Sequence, residues 1–164
     1  GKSTLFKRLR KKYFDAATEF KFGRVRGIRQ GQLQMLGVFD GSLFEGTDKL
    51  SMSVINDAIE YIKELKNDSD KHVVFVEGDR LFNWRFISTT RATLLLLDAN
   101  EAVLKQRHIM RGDSQSETFL RSRRTKVENY IKAHNTMRIW NNSPQDSDRI
   151  FNYLTKTVDE YVGK

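Results

Sequence analysis

The chain begins with GKSTLFKRL, residues 1–9, and this stretch decides how the rest of the sequence is interpreted. Gly-Lys-Ser-Thr matches the end of the phosphate-binding loop G-x-x-x-x-G-K-[ST], in which Gly1 would be the second glycine. Leu5, Leu9 and Tyr13 follow at helical spacing, so the first helix is predicted to run to about Tyr13. Such a loop needs a buried strand before it. We therefore expect that truncation has removed this strand and the first glycine.

The composition fits one compact domain. The chain has 164 residues, of which 38% are hydrophobic, and this length is sufficient for a sizeable core. It contains no cysteine, which excludes disulfides and thiolate metal sites. The sequence shows neither a signal peptide nor a run of 18 apolar residues. We expect a single domain over residues 1–164 that is soluble and cytoplasmic.

Positive charge is concentrated in two segments. The net charge is +8; residues 1–29 hold ten Lys and Arg against two acids, and residues 105–138 hold nine against three. Two basic segments on a mildly acidic remainder indicate a polyanionic ligand, either nucleotide phosphates or a nucleic-acid backbone. A solvated basic surface would explain the same charge equally well.

Apolar runs alternate with amphipathic stretches, which is typical of a sheet with helices on both sides. Extended segments are predicted at 20–28 and 32–40, on either side of a turn at Gln30-Gly31, and buried strands within 71–79 and 91–99. A last strand is predicted in TMRIWNN, 136–142. Helices are predicted from Ser51 or Ser53 to about 66–70, from Asn100 to about Met110, from Glu117 to Ala133, and from Ser143-Pro144 onward.

The candidate phosphate loop assigns chemistry to its own residues. Backbone N–H groups around Gly1 to Thr4 would cradle phosphates, Lys2 would meet the β and γ oxygens, and the hydroxyl of Ser3 would bind Mg²⁺. GKST alone is a short match that chance can produce. The strand VVFVEGD, 73–79, strengthens the match, because it delivers Glu77 and Asp79 to the carboxyl end of a strand, where α/β sheets bind ligands. We expect Ser3, Glu77 and Asp79 to hold the metal.

The stretch VFDGSLFEGTDKL, 38–50, supplies two further candidate site carboxylates, Asp40 and Asp48. Asp40 follows an apolar strand whose end is predicted to face the phosphate loop, so it could accept the proton of an attacking hydroxyl. Shaping a turn before Gly41 is the alternative role. Asp48 precedes a helix, and substrate contact and helix capping are equally good explanations for it.

An arginine-rich segment follows the LLLLDA strand and its helix. Arg107 and Arg111 are four residues apart on one helical face, and five arginines occur within residues 107–124. Phosphoryl transfer requires mobile positive charge at the γ-phosphate, so we expect a catalytic lid over about 107–126, with Gly112-Asp113-Ser114 as its hinge. A solvated charged helix is the usual alternative. The remaining basic residues of this segment are Arg121, Arg123, Arg124 and Lys126.

Together these features resemble the P-loop kinases of the nucleotide-kinase type over essentially the whole chain. The resemblance implies a three-layer α/β sandwich with a mostly parallel sheet, ATP and Mg²⁺ as cofactors, and adenine held by Asn142 and Ser143 in NNSP. FDGSLFEGTDKLSM and VFVEGDRLF are more narrowly similar to bacteriophage kinases that phosphorylate 5-hydroxymethyluracil in DNA during thymidine hypermodification. That similarity implies substrate contacts from Asp48, Ser51, Arg80, Arg121 and Arg124, and a location in the host cell cytoplasm.

Three functions remain open from the sequence. A kinase of 5-hydroxymethyluracil in DNA transfers phosphate to a polymer, a kinase of free nucleosides or nucleoside monophosphates transfers it to monomers, and a non-catalytic nucleotide-dependent module binds DNA without transfer. The charge distribution favours the first. Arg24, Arg26 and Arg29, which lie beyond the first helix, are candidates for contacts with DNA phosphates.

Overall fold

The computed structural model describes residues 1–42, 45–110, 112, 116–134 and 136–163, with only the backbone described at 108, 117 and 119. The helices are α1 Lys2–Tyr13, α2 Ile55–Asn67, α3 Trp84–Thr90, α4 Glu101–Met110, α5 Glu117–Ala133 and α6 Pro144–Val162, and a 3₁₀ turn spans Thr47–Lys49. The strands are β1 Thr18–Phe22, β2 Val25–Gln30, β3 Leu33–Leu36, β4 Val73–Phe75, β5 Leu94–Asp98 and β6 Thr136–Trp140.

The chain divides into two compact units. The first unit comprises Gly1–Ala92 and Phe151–Lys164, and the second comprises Thr93–Ile150. In the first, the strands follow the order β1-β2-β3-β4. In the second, β5 and β6 pair with each other.

Parallel pairing is only part of the strand arrangement. β1 with β2 and β2 with β3 are antiparallel, whereas β3 with β4 and β5 with β6 are parallel. The α/β class is confirmed, but the first sheet is mixed rather than mostly parallel. The reason is local, because short turns after β1 and β2 can join only antiparallel neighbours.

Helices cover both faces of the first sheet. Phe20 stacks on Tyr61 of α2 with ring centroids 5.0 Å apart. Phe75, on the opposite face by register, stacks on Tyr13 of α1 at 6.3 Å. The apolar stripe of α1 explains this packing, since Leu5, Leu9 and Tyr13 are the buried residues of that helix.

The end of α6 packs against α1 within the first unit. The hydroxyl of Tyr13 donates to Asp159 Oδ1 at 2.7 Å and lies 3.1 Å from the carbonyl oxygen of Thr155. The guanidinium of Arg8 lies 4.2 Å from the centre of the Phe151 ring. These contacts hold the helix that carries the candidate phosphate loop.

The structure corrects the sequence predictions in three places. The predicted extended segment 20–28 is the β1–β2 hairpin, which turns at Gly23 with a φ of 55°. The short helix α3 was not predicted. The strands predicted to be buried, β4 and β5, are half-buried along their whole length, because each has one neighbouring strand among the described residues.

No helix in the described ranges combines the length and apolar character needed to cross a bilayer.

Candidate active site

The loops that follow β3 and β4 leave the same edge of the first sheet. Because β3 and β4 are parallel neighbours, with Leu33 opposite Val73 and Met35 opposite Phe75, their carboxyl ends lie side by side. The loops that carry Asp40 and Glu77 therefore begin at the same edge of the sheet.

The loop after β3 is closed at its neck. The backbone groups of Val38 and Gly46 pair in both directions, at 3.0 and 2.9 Å. A Cβ on Gly37 would lie 2.5 Å from the carbonyl carbon of Gly46, so a side chain at position 37 would clash with backbone. The neck fixes where the segment carrying Asp40 begins and ends.

Asp40 forms an ion pair with Lys49 inside this loop. The Lys49 ammonium donates to Oδ1 at 2.8 Å and to Oδ2 at 2.6 Å. Hydrogen bonds from Lys49 and from Ser42 hold the pKa of Asp40 well below its usual range. The carboxylate is half exposed, so it is ionised, oriented and accessible.

A second ion pair ties the same loop to α1. Arg10 donates to Glu45 Oε2 at 2.9 Å, and Glu45 Oε1 accepts from the backbone N–H of Gly41 at 2.5 Å. The Arg10 guanidinium also lies 5.5 Å from the centre of the Phe39 ring. The helix behind the phosphate loop and the loop of Asp40 are therefore joined directly.

Glu77, Asp48 and Lys2 form an electrostatic cluster. Burial raises the pKa of Glu77, the charge of Lys2 lowers it, and the charge of Asp48 raises it. A Cβ on Gly46 would lie 3.3 Å from Glu77 Oε1, and one on Gly78 would lie 3.1 Å from Asp48 Oδ1. Glycines at these positions, both with positive φ, make room for the two carboxylates.

The 3₁₀ turn is anchored to the loop after β4. The hydroxyl of Thr47 donates to the carbonyl oxygen of Glu77. Thr47 is buried, whereas Asp48 is exposed. Thr47 therefore anchors the turn, and Asp48 is exposed to solvent at the site.

Arg80 lies against the backbone of this turn. Its Nη2 donates to the carbonyl oxygen of Asp48 at 2.9 Å, and its Nη1 contacts the sulfur of Met52. Its Nε is buried and has no hydrogen-bond partner among the described residues. Ser51 is exposed, and its hydroxyl lies 3.0 Å from that of Ser53. The predicted substrate residues Asp48, Ser51 and Arg80 thus gather around one turn.

The other predicted phosphate-loop residues occupy the first turn of α1. Gly1 is the N-cap, and its carbonyl oxygen accepts from Leu5 N–H at 3.1 Å. Lys2, Ser3 and Thr4 are exposed. No acidic residue occupies this turn, so the backbone N–H groups at the helix start can receive an anion.

The carboxylates near Lys2 suit a hard cation. Oxygen ligands are those that Mg²⁺ prefers, and it is usually held by one or two carboxylates together with phosphates and water. Glu77 and Asp48 are close enough for their charges to interact. Asp79 is exposed after β4. Across the described residues there is no group of three or more His, Asp or Glu able to hold a metal by themselves.

In the second unit, Asn142 and Ser143 serve the start of α6. The backbone N–H groups of both donate to Asp146 Oδ2, at 3.0 and 3.1 Å, and Ser143 Oγ accepts from Asp146 N–H at 3.1 Å. Asn142 Oδ1 also accepts from Asn100 N–H at 2.7 Å. The predicted helix cap is therefore present, and it joins the loops that follow β5 and β6.

The predicted lid residues are distributed over α4 and α5. Arg107 is half-buried on α4, and Arg121 and Arg124 are exposed on α5. Arg111 and the predicted hinge residues Asp113 and Ser114 lie outside the described residues.

Lys49, Glu45 and Arg10 were not predicted as site residues. Each is the partner that orients a loop carboxylate or the loop itself. In the sequence, only the positive charge of Lys49, next to Asp48, indicated a possible partner for a loop carboxylate. Pairing across a loop of this length is not encoded in any short motif.

A comparison with protein-family models matches residues 4–143 to a family described as P-loop Nucleotide Kinase3. No curated protein and no solved structure matches the chain. The family match begins within the first turn of α1 and includes β3, β4 and the loops that carry Asp40, Asp48 and Glu77. The chain belongs to the P-loop nucleotide kinase family.

Proposed function

We propose that the protein is an ATP-dependent kinase that transfers the γ-phosphate to the hydroxymethyl group of 5-hydroxymethyluracil in DNA, a step of thymidine hypermodification. The chain would adopt the three-layer P-loop kinase sandwich, with a lid over about 107–126. The family supports nucleotide binding and phosphoryl transfer. The DNA acceptor is the more specific part of the proposal.

The observation that carries the proposal is the cluster of Lys2, Asp48 and Glu77. It combines one cation at a helix N-terminus with two carboxylates that raise the local negative charge. A nucleotide needs this combination, because its phosphates require positive groups and its metal requires oxygen ligands. Burial and the charge of Asp48 raise the pKa of Glu77, and a bound cation would favour its ionised form.

Lys2 would neutralise charge on the β and γ oxygens, and backbone N–H groups from Gly1 to Thr4 would hold the phosphates. Ser3, Glu77 and Asp79 would hold Mg²⁺, which when bound offsets the negative charge of the phosphate oxygens. The structure leaves room for Asp48 to take part, since its carboxylate lies beside Gly78.

Asp40 would orient the attacking hydroxyl and accept its proton. Its lowered pKa makes it a weak base, but the transition state of phosphoryl transfer is loose and demands orientation more than basicity. The ion pair with Lys49 keeps the carboxylate ionised. Lys49 would have to yield one carboxylate oxygen to the substrate hydroxyl.

The acceptor would be recognised by Asp48, Ser51 and Arg80 around the 3₁₀ turn, and its phosphates by Arg121 and Arg124. A base in duplex DNA must leave the stack before its hydroxymethyl group can reach a γ-phosphate. Arg107 and Arg111 would stabilise charge in the transition state, and Asn142 and Ser143 would contact adenine.

Transfer of label from γ-labelled ATP tests the proposal. The full-length protein is incubated with Mg²⁺ and one of three acceptors: DNA containing 5-hydroxymethyluracil, the same DNA with thymine, or free hydroxymethyl-deoxyuridine and its monophosphate. We expect label only in the modified DNA. Label in the monomers alone would replace the DNA kinase with a monomer kinase, and DNA binding without transfer would indicate a non-catalytic module.

A further inference from the structure

Two cations face each other across the β1–β2 hairpin. The register places Lys21 directly opposite Arg26, so both side chains point to the same face of the sheet. Both are exposed. Like charges at directly opposed positions destabilise a strand pair. Lys21 and Arg26 therefore destabilise the hairpin when no ligand lies between them.

No carboxylate within the described ranges forms an ion pair with either cation. Glu19, two residues before Lys21 on the same face, is exposed and also lacks an ion pair in that part of the chain. By contrast, Arg24 in the turn of the same hairpin pairs with Asp57 at 3.4 Å.

The three arginines predicted to contact DNA do not share a face. Arg29 lies opposite Thr18 and Gln34, on the face covered by α2, where Gln34 accepts from Tyr61. Arg24 is in the turn and is paired. Only Arg26 lies on the other face, and Lys21 is its neighbour there.

The Lys21–Arg26 face continues into the loop of Asp40. A shallow groove between Arg26 and this loop is lined by Arg26, Ile28, Val38 and Phe39, together with Glu19, Phe20 and two glycines. The carbonyl oxygen of Arg26 accepts from the N–H of Gly37 at 2.8 Å. Adjacent strands are about 5 Å apart, and the three residues from Gly37 to Asp40 span at most about 11 Å. The backbone of Arg26 is thus within about 16 Å of that of Asp40.

We propose that Lys21 and Arg26 bind the phosphodiester backbone of the polynucleotide substrate beside the reacting base. The ligand is a polyanion, because its phosphates offset the repulsion between the two cations. A DNA strand rises about 3.4 Å per nucleotide, so the separation from Asp40, at most about 16 Å, spans at most about five nucleotides. The inference rests on the proposed DNA acceptor, which it deepens by naming the surface that receives the strand.

Fluorescence anisotropy across a salt series tests this inference, with a labelled duplex that contains 5-hydroxymethyluracil. The test variant is Lys21→Gln with Arg26→Gln. The matched control is Arg24→Gln with Arg29→Gln, which removes the same charge from the same hairpin but not from this face. We expect the test variant to flatten the slope of log affinity against log salt by about 1.8, from two lost phosphate contacts, and the control by less than half as much.

Two further measurements separate the possible outcomes. The melting temperature of the test variant without DNA should equal or exceed that of the wild type, and its ATP affinity should be unchanged. Equal slopes for test and control variants would overturn the inference while leaving the kinase proposal intact. Absence of DNA binding by the wild type at low salt, with monomers phosphorylated, would overturn both.

Discussion

Lys49 donates to both carboxylate oxygens of Asp40, at 2.8 and 2.6 Å, within a loop whose neck is closed by Val38 and Gly46. The pair makes Asp40 an oriented anion rather than a strong base. If Asp40 acts on the substrate, loss of its carboxylate must slow phosphoryl transfer more than loss of the Lys49 ammonium does.

Asp40→Asn is therefore expected to slow phosphoryl transfer by at least about a hundredfold, with ATP affinity nearly unchanged, because proton acceptance by a positioned side chain contributes on this scale. Lys49→Met is the comparison, since it breaks the same ion pair but keeps the carboxylate. Single-turnover rates should fall much less for this variant. Equal losses in both variants would mean that Asp40 serves only to hold the loop.

Lys2→Ala is expected to reduce turnover by at least about a hundredfold, because the ammonium is a positioned electrostatic donor at the phosphates. Steady-state kinetics with ATP measure the effect. Lys7→Ala is the control, since Lys7 is also exposed on α1 but lies beyond its first turn. Turnover near the wild-type value for Lys2→Ala would exclude the phosphate-loop interpretation.

Glu77→Gln is expected to stabilise the fold at neutral pH. Burial raises the pKa of Glu77, so folding favours the protonated carboxyl. Below the ordinary pKa of about 4.3 the carboxyl group is protonated in both the folded and the unfolded protein. As the pH rises through the pKa of the folded state, the contribution of Glu77 to the free energy of unfolding is lost. The variant should melt at a higher temperature than the wild type at pH 7, and the difference should shrink as the pH falls towards about 4.

The control for this pH series is Glu60→Gln, whose carboxylate is exposed and pairs with Lys63 on α2. It should show no such pH-dependent gain. A lower melting temperature for Glu77→Gln at pH 7 would mean that the ionised carboxylate stabilises the fold without a ligand.

Tyr13→Phe is expected to lower the free energy of unfolding by about 1.5 kcal/mol, the scale of a hydrogen bond to a charged acceptor. It removes the hydroxyl that joins α1 to Asp159 of α6. Lys12→Met, which breaks an exposed ion pair to the same carboxylate, should cost less than about 1 kcal/mol. Urea unfolding compares the two, and a larger loss for Lys12→Met would contradict this ranking.

Periodicity predicted the longer elements well. The boundaries of α1, α4 and α5 match, because their apolar spacing and flanking residues are unambiguous. The hairpin turn at Gly23 was missed, since a single glycine inside an extended segment does not distinguish a turn from a strand. The helix α3 is short, but Asn83 caps it by accepting from two backbone N–H groups, and this capping residue was a usable signal.

The candidate site could be predicted only in part. Strand-end position placed Asp40 and Glu77 at one edge of the sheet, because that follows from parallel pairing. The ion pairs of Asp40 and Glu45 could not be predicted, since they depend on how one loop folds back on itself. The opposed cations Lys21 and Arg26 required the register of the hairpin, which a missed turn conceals.

Calorimetric titration with ATP, with and without Mg²⁺, most directly tests the central claim that Lys2 meets the nucleotide phosphates and that Glu77 helps to hold their metal. The wild-type protein should bind ATP more tightly with Mg²⁺ than without it. In Glu77→Gln this Mg²⁺-dependent increase in affinity should be smaller by a factor of at least about ten, which is the lower end of the effects seen when residues that support a metal site are replaced. An ATP affinity that does not depend on Mg²⁺, or a Glu77→Gln variant that keeps the full Mg²⁺ effect, would contradict the claim.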